Sequence, residues 1–232
     1  MSKSYILKKN SCSKGVVMKK TKEYRKSARE VLGSSIFGKK WLYALLALFV
    51  EGALVSIISA TGVGTIVALI IIGPLNYGLI SIFMRLSRKQ DEKAELSHLF
   101  DGFKERFGES AITAILSYIF TFLWTLLLII PGIIKSYSYA AALYVVHETK
   151  LEGTEAITES RRLMNGKKWK LFCLDFSFIG WYLLGMLCLG IGVLWVEPYH
   201  TAARTEFMLD VLKEGGCHCE HCKTETEVID VK

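Results

Sequence analysis

The chain has 232 residues, 51% hydrophobic and 22% charged, with a formal charge of +7 and a mean hydropathy of +0.33. Disordered chains lack this hydrophobicity, collagen-like chains need far more Gly and Pro than 19 and 3, and soluble domains seldom pair such an apolar excess with so many basic residues. What remains is an all-α, polytopic membrane protein.

Residues 1–22 read as a basic, disordered extension in which Met18 rivals Met1 as the start of translation. Residues 1–40 hold 12 basic and 2 acidic residues, a charge that suits anionic lipid at the inner face of a membrane. Nucleic acid is the competing partner of a basic arm, but no recognition module accompanies it. Tyr24, Ala28, Val31 and Leu32 follow helical spacing and predict an amphipathic surface helix over 24–37. No secretory signal precedes the first apolar run at Trp41, so that run is expected to act as the insertion signal.

Trp41 to Ala60, Val63 to Met84, Ala111 to Ile130 and Leu171 to Leu189 carry at most one charge each and match the roughly 20 residues that cross a bilayer. Ile133 to Val146 and Gly192 to Met208 are more polar. Basic residues decide whether these two also cross, because Lys and Arg collect on the cytoplasmic side. Six crossings put 28 of the 29 basic residues on one side, with both termini cytoplasmic. The membrane domain is then 23–213 and the cytoplasmic tail 214–232.

Gly38-Lys39-Lys40-Trp41 recurs as Gly166-Lys167-Lys168-Trp169, and Phe103 to Gly108 occupies the place midway. Amphipathic stretches precede all three, at 24–32, at 96–107 and, with Thr154 as its start and Gly166 as its stop, at 154–166. Ile71-Ile72-Gly73-Pro74, Ile129-Ile130-Pro131-Gly132 and Leu189-Gly190-Ile191-Gly192 resemble one another as hairpin turns. The expected architecture is three transmembrane hairpins, each preceded by an amphipathic interfacial helix.

Ionisable residues inside such spans are site candidates, since each costs roughly 2.5–3.5 kcal/mol to insert. Matching depth pairs Lys135 with Glu197, Asp175 with Arg204, and Glu51 with His200. These pairs line a hydrophilic path, or they hold helices together; Lys135 can also snorkel outward and Asp175 can meet Lys168 or Lys170. Gly132, Ser136 and Ala140 form a small-residue stripe for close helix packing.

The tail ends in Cys217, His218, Cys219, His221 and Cys222, soft ligands that suit zinc or copper(I). A closed zinc domain usually draws on two separated knuckles, so a site at a subunit contact, a redox pair or an unstructured tail compete with it. Cys12, Cys173 and Cys188 are unrelated to it.

Pro131 to Tyr139, Trp169 to Phe172, Asp175 to Trp181 and Leu189 to Tyr199 resemble the bacterial integral-membrane family known as domain of unknown function 975. The resemblance runs from about Met18 to Leu212 and implies a multi-pass protein of the bacterial cell membrane, distantly similar to the membrane domain of some glycerophosphodiester phosphodiesterases. It carries no catalytic residues across. With no Gly-rich phosphate loop, H-E-x-x-H or G-x-S-x-G, the chain is not expected to be an enzyme. The function expected is a non-catalytic membrane component organising lipid, partner proteins or further copies of itself; the alternative is a transporter of a small solute or ion through the buried charges.

Overall fold

The computed structural model describes residues 18–33, 38–60, 64–88, 96–149, 151–187 and 190–216, and these are helical throughout, with no strand among them. The helices are α1 (Thr21–Leu32), α2 (Lys39–Ser59), α3 (Gly64–Ser87), a 3₁₀ turn (Leu96–Phe100) leading into α4 (Asp101–Lys104), α5 (Phe107–Leu127), α6 (Ile129–Tyr139), α7 (Ala142–Glu148), α8 (Gly153–Leu163), α9 (Lys168–Leu187) and α10 (Ile191–Gly216). The Cys/His cluster, Cys12, Cys188 and the linker at Thr61 lie outside the described residues.

Five segments are long and apolar enough to cross a membrane: 39–59, 70–87, 107–127, 129–148 and 168–187. Their burial separates the rim from the centre. Only 11% of the α2 window and 22% of the α5 and α9 windows are buried, against 61% for α3. Leu126, Ile130 and Leu187 are 74%, 73% and 83% exposed. Apolar surface on this scale is foreign to a soluble monomer and natural against lipid. The expected sixth crossing, α10, is not among the five. It carries Glu197, Arg204, Glu206 and Asp210, yet it lies at the centre, with Tyr199, Ala202, Ala203, Phe207, Met208 and Val211 buried against α1, α2, α3 and α9. Its neighbours cover much of this helix, so most of its polar residues lower its hydropathy while facing protein.

Glycines set the closest approaches. A Cβ on Gly185 would fall 2.8 Å from the backbone nitrogen of Val193, so α9 and α10 touch backbone to backbone just below their turn, where Gly190 supplies the positive φ of 78°. A Cβ on Gly73 would lie 2.7 Å from the Ser110 carbonyl oxygen, which locks α5 onto α3.

Three expectations about turns and surface helices change. Gly73-Pro74 lies inside α3 and is not a turn. The second turn is the single extended residue Leu128, and Pro131 sits in the first turn of α6, where its missing N–H has no helical partner to lose. The 96–107 stretch is a 3₁₀ turn plus one α turn, interrupted before α5, and its Gly102 is pressed against the Pro74 backbone.

The amphipathic segments use their apolar faces on protein. The 96–104 stretch packs on α3, and α8 packs on α5, α6 and α7. α1 runs antiparallel along α10, with Tyr24 edge-on to Phe207 at 5.3 Å, Lys19 Nζ 3.4 Å from Asp210 and the Arg29 guanidinium 5.7 Å from the Tyr199 ring. α8 also repairs a helix break. The span 129–148 is interrupted at Ala140-Ala141, which frees the Ser138 carbonyl, and the buried Ser160 hydroxyl donates to it at 2.8 Å.

Candidate functional site

The helices line a half-open cavity of about 870 Å³, within the range of small-molecule sites. Each main helix contributes a polar side chain: Glu51 from α2, Asn76 from α3, Ser117 and Tyr118 from α5, Ser136 and Tyr137 from α6, Tyr144 from α7, Asp175 and Tyr182 from α9, and Glu197, His200 and Arg204 from α10. Helical periodicity aims the key groups. Asp175 and Tyr182 are two turns apart on α9, and Glu197, His200 and Arg204 follow at one-turn spacings on α10, so each set projects from one face.

These residues form a continuous chain of polar contacts. The Tyr182 hydroxyl lies 2.6 Å from Glu197 Oε2 and 3.0 Å from His200 Nδ1. His200 Nε2 is 2.9 Å from Asp175 Oδ1, and Arg204 Nε is 3.5 Å from the same oxygen. The Asp175 and His200 side chains are 18% and 15% exposed, and Phe178 packs on the imidazole with ring centres 4.8 Å apart. Tyr137 faces Asp175 from α6. The buried Tyr144 hydroxyl meets Thr205 at 3.3 Å.

The pairing expected from depth is partly rearranged. Asp175 and Arg204 are adjacent, but His200 stands between Tyr182 and Asp175 and is not the partner of Glu51. Glu51 instead neighbours Glu197. Lys135 does not reach Glu197, because α6 packs on α5, α8 and α9 and turns the ammonium over the Trp124 ring, 4.6 Å from its centre. Depth can be counted along a helix from sequence, whereas rotation about the axis depends on its neighbours. The small-residue stripe also divides: Gly132 approaches Thr125 of α5 too closely for a Cβ, while Ser136 and Ala140 line the cavity.

A second cavity of about 340 Å³ lies between α2 and α10, bounded by Phe49, Val55, Val193 and Leu194. Glu51, Glu197 and Leu48 border both cavities, which places the two carboxylates at their common wall. Among the described residues no three of His, Cys, Asp and Glu are grouped as metal ligands. Tyr182, the link between Glu197 and His200, carries no charge to set it apart in the sequence. Its spacing from Asp175 was the available signal.

The sequence matches the family described as Protein of unknown function (DUF975) over residues 18–142 and 125–214. The chain belongs to this family. No curated protein and no solved structure matches it.

Proposed function

We propose that this DUF975 protein is a multi-pass protein of the bacterial cell membrane with six crossings in three hairpins, both termini cytoplasmic, and that its interior cavity takes a small polar solute for transport. The carrying observation is that every main helix turns a polar or ionisable side chain toward one cavity while α2, α5 and α9 turn apolar surface outward. α10 serves as the sixth crossing, largely covered by its neighbours, and its Glu197, His200 and Arg204 form one wall of the site.

The lining suggests the charge of the solute. Arg204 compensates Asp175, which leaves Glu51 and Glu197 facing the cavity beside a single imidazole. A small organic cation, flanked by the rings of Tyr118 and Tyr182, fits that field. The test is uptake of labelled methylammonium, tetramethylammonium and a linear diamine into proteoliposomes. Saturable uptake that falls at least about tenfold in Glu51→Gln, equivalent to about 1.4 kcal/mol, is expected. Uptake equal to that of protein-free vesicles for the whole panel refutes it.

The reading as a non-catalytic component that organises lipid or partner proteins keeps one supporting observation, the exposed basic residues Lys22 and Lys26 on α1. Its apolar face, which would insert into lipid, is engaged by α10.

A further inference from the structure

The contacts around Tyr182 impose a count of protons. Two links run through its oxygen, one to Glu197 Oε2 at 2.6 Å and one to His200 Nδ1 at 3.0 Å. Each link needs one hydrogen, and the phenol supplies only one. The other ring nitrogen is already committed, because Nε2 lies 2.9 Å from Asp175 Oδ1, the same oxygen that Arg204 Nε approaches at 3.5 Å, and N–H donation from the ring satisfies that acceptor. The second hydrogen must sit on Glu197 or on His200 Nδ1.

We infer that Glu197, Tyr182 and His200 form a relay holding one transferable proton at the wall of the cavity, which a bound cation exchanges for itself. In one state Glu197 is a neutral acid that donates to the phenol oxygen, and the phenol donates to Nδ1 of a neutral His200. In the other, the Glu197 proton has passed to the phenol oxygen while the phenol proton has passed to Nδ1, leaving a carboxylate and an imidazolium. Only O–H and N–H bonds change, the net charge of the trio is the same in both states, and Nε2–H stays on Asp175. A cation arriving beside Glu51 and Glu197 favours the carboxylate and so drives the proton toward His200, from which it can leave.

The surroundings of the relay suit this exchange. Glu51 on α2 neighbours Glu197 at the wall shared by the two cavities, and Tyr118 on α5 borders the same space. Asp175 on α9 and Arg204 on α10 flank the imidazole with opposite charges, Tyr137 on α6 faces Asp175, and α3 contributes the uncharged Asn76. From α1, Arg29 approaches no nearer than the adjacent Tyr199 ring. The coupling to a cation rests on the proposed solute cavity; the proton count does not.

The test is a pH titration of the full chain in lipid nanodiscs, followed by nuclear magnetic resonance of the His200 ring nitrogens and the Glu197 carboxyl carbon. The expected result is one shared midpoint for both signals and one proton released, with Tyr182→Phe splitting it into two separate midpoints. Independent midpoints in the unaltered protein, or an unchanged titration in Tyr182→Phe, overturn the relay. Should Tyr182→Phe not fold, Glu197→Gln provides the second reading: losing the neighbouring anion should lower the His200 midpoint by about one pH unit or more, and an unmoved midpoint overturns the proposal. A shared midpoint without uptake of any cation refutes the transport reading alone, while uptake with independent midpoints refutes the relay alone.

Discussion

Gly78 and Gly180 show how differently one residue type can act in this bundle. A Cβ on Gly78 would collide with the backbone of Leu99, whereas one on Gly180 would meet nothing within 4 Å. Gly78→Ala must push the 96–104 segment off α3, a backbone shift that should destabilise by about 1–3 kcal/mol; thermal unfolding in detergent should show a clear drop. Gly180→Ala should unfold at or slightly above the temperature of the unaltered chain. Equal effects of the two would contradict the packing of the 3₁₀ turn on α3. Neither difference can be read from the sequence, where both glycines simply interrupt apolar runs. Glu51, Asp175, Glu197, His200 and Arg204 stand out in the sequence because charge in an apolar run is conspicuous, and all five line the cavity. Their connections are not legible there, since contacts depend on helix rotation, and Tyr182 is hidden among 10 tyrosines.

At the scale of the element, α1 is the clearest case of a correct pattern with a different destination. Its apolar stripe at Tyr24, Ala28, Val31 and Leu32 is buried, but against α10 more than against a lipid surface. Burial, followed by the negative charge of Asp210, holds the Tyr24 phenol well above its ordinary range near 10. Folding thus favours the protonated phenol. That contribution is complete below the unfolded value of about 10 and is lost as the pH rises above it toward the folded value. Docking of α1 should therefore weaken at strongly alkaline pH, and Tyr24→Phe should remove that part of the decline. Melting temperatures measured from about pH 9 to about pH 11 would reveal it; identical slopes for both proteins would show that Tyr24 plays no part. The break between α6 and α7 is also set by a neighbour, since Ser160 accepts the role of hydrogen-bond donor that the helix gives up at Ser138.

Over the whole molecule, the amphipathic segments clasp the long helices in turn. The 96–104 stretch covers α3, α8 covers α5, α6 and α7, and α1 covers α10, so the segment nearest the start of the chain closes on the last helix. Arg88 fastens the end of α3 to Glu148 at 2.8 Å, and Arg106 caps α7 by donating to the carbonyls of Val146 and Thr149 at 3.1 and 2.7 Å. The proposed six-crossing topology makes a definite prediction for α9 and α10. In a chain freed of its native cysteines, a cysteine placed by Gly190→Cys should react with an impermeant maleimide from outside intact cells, and one placed by Lys167→Cys only after permeabilisation. Labelling of both from the same side would mean that α9 or the segment before α10 does not cross.

Composition and the spacing of charges determined by themselves that the chain is helical and built for a membrane, because apolar runs of about 20 residues and the exclusion of charge from them are local properties of the sequence. The same reasoning located most of the long helices and the ionisable residues within them. Only the tertiary structure decided which helices form the rim and which the centre, that the polar residues of α10 face its neighbouring helices and the cavity, and that Glu197 meets Tyr182 while Lys135 meets Trp124. Those outcomes depend on the rotation and contact of helices distant in sequence, and hydropathy, averaged along the chain, contains no record of either.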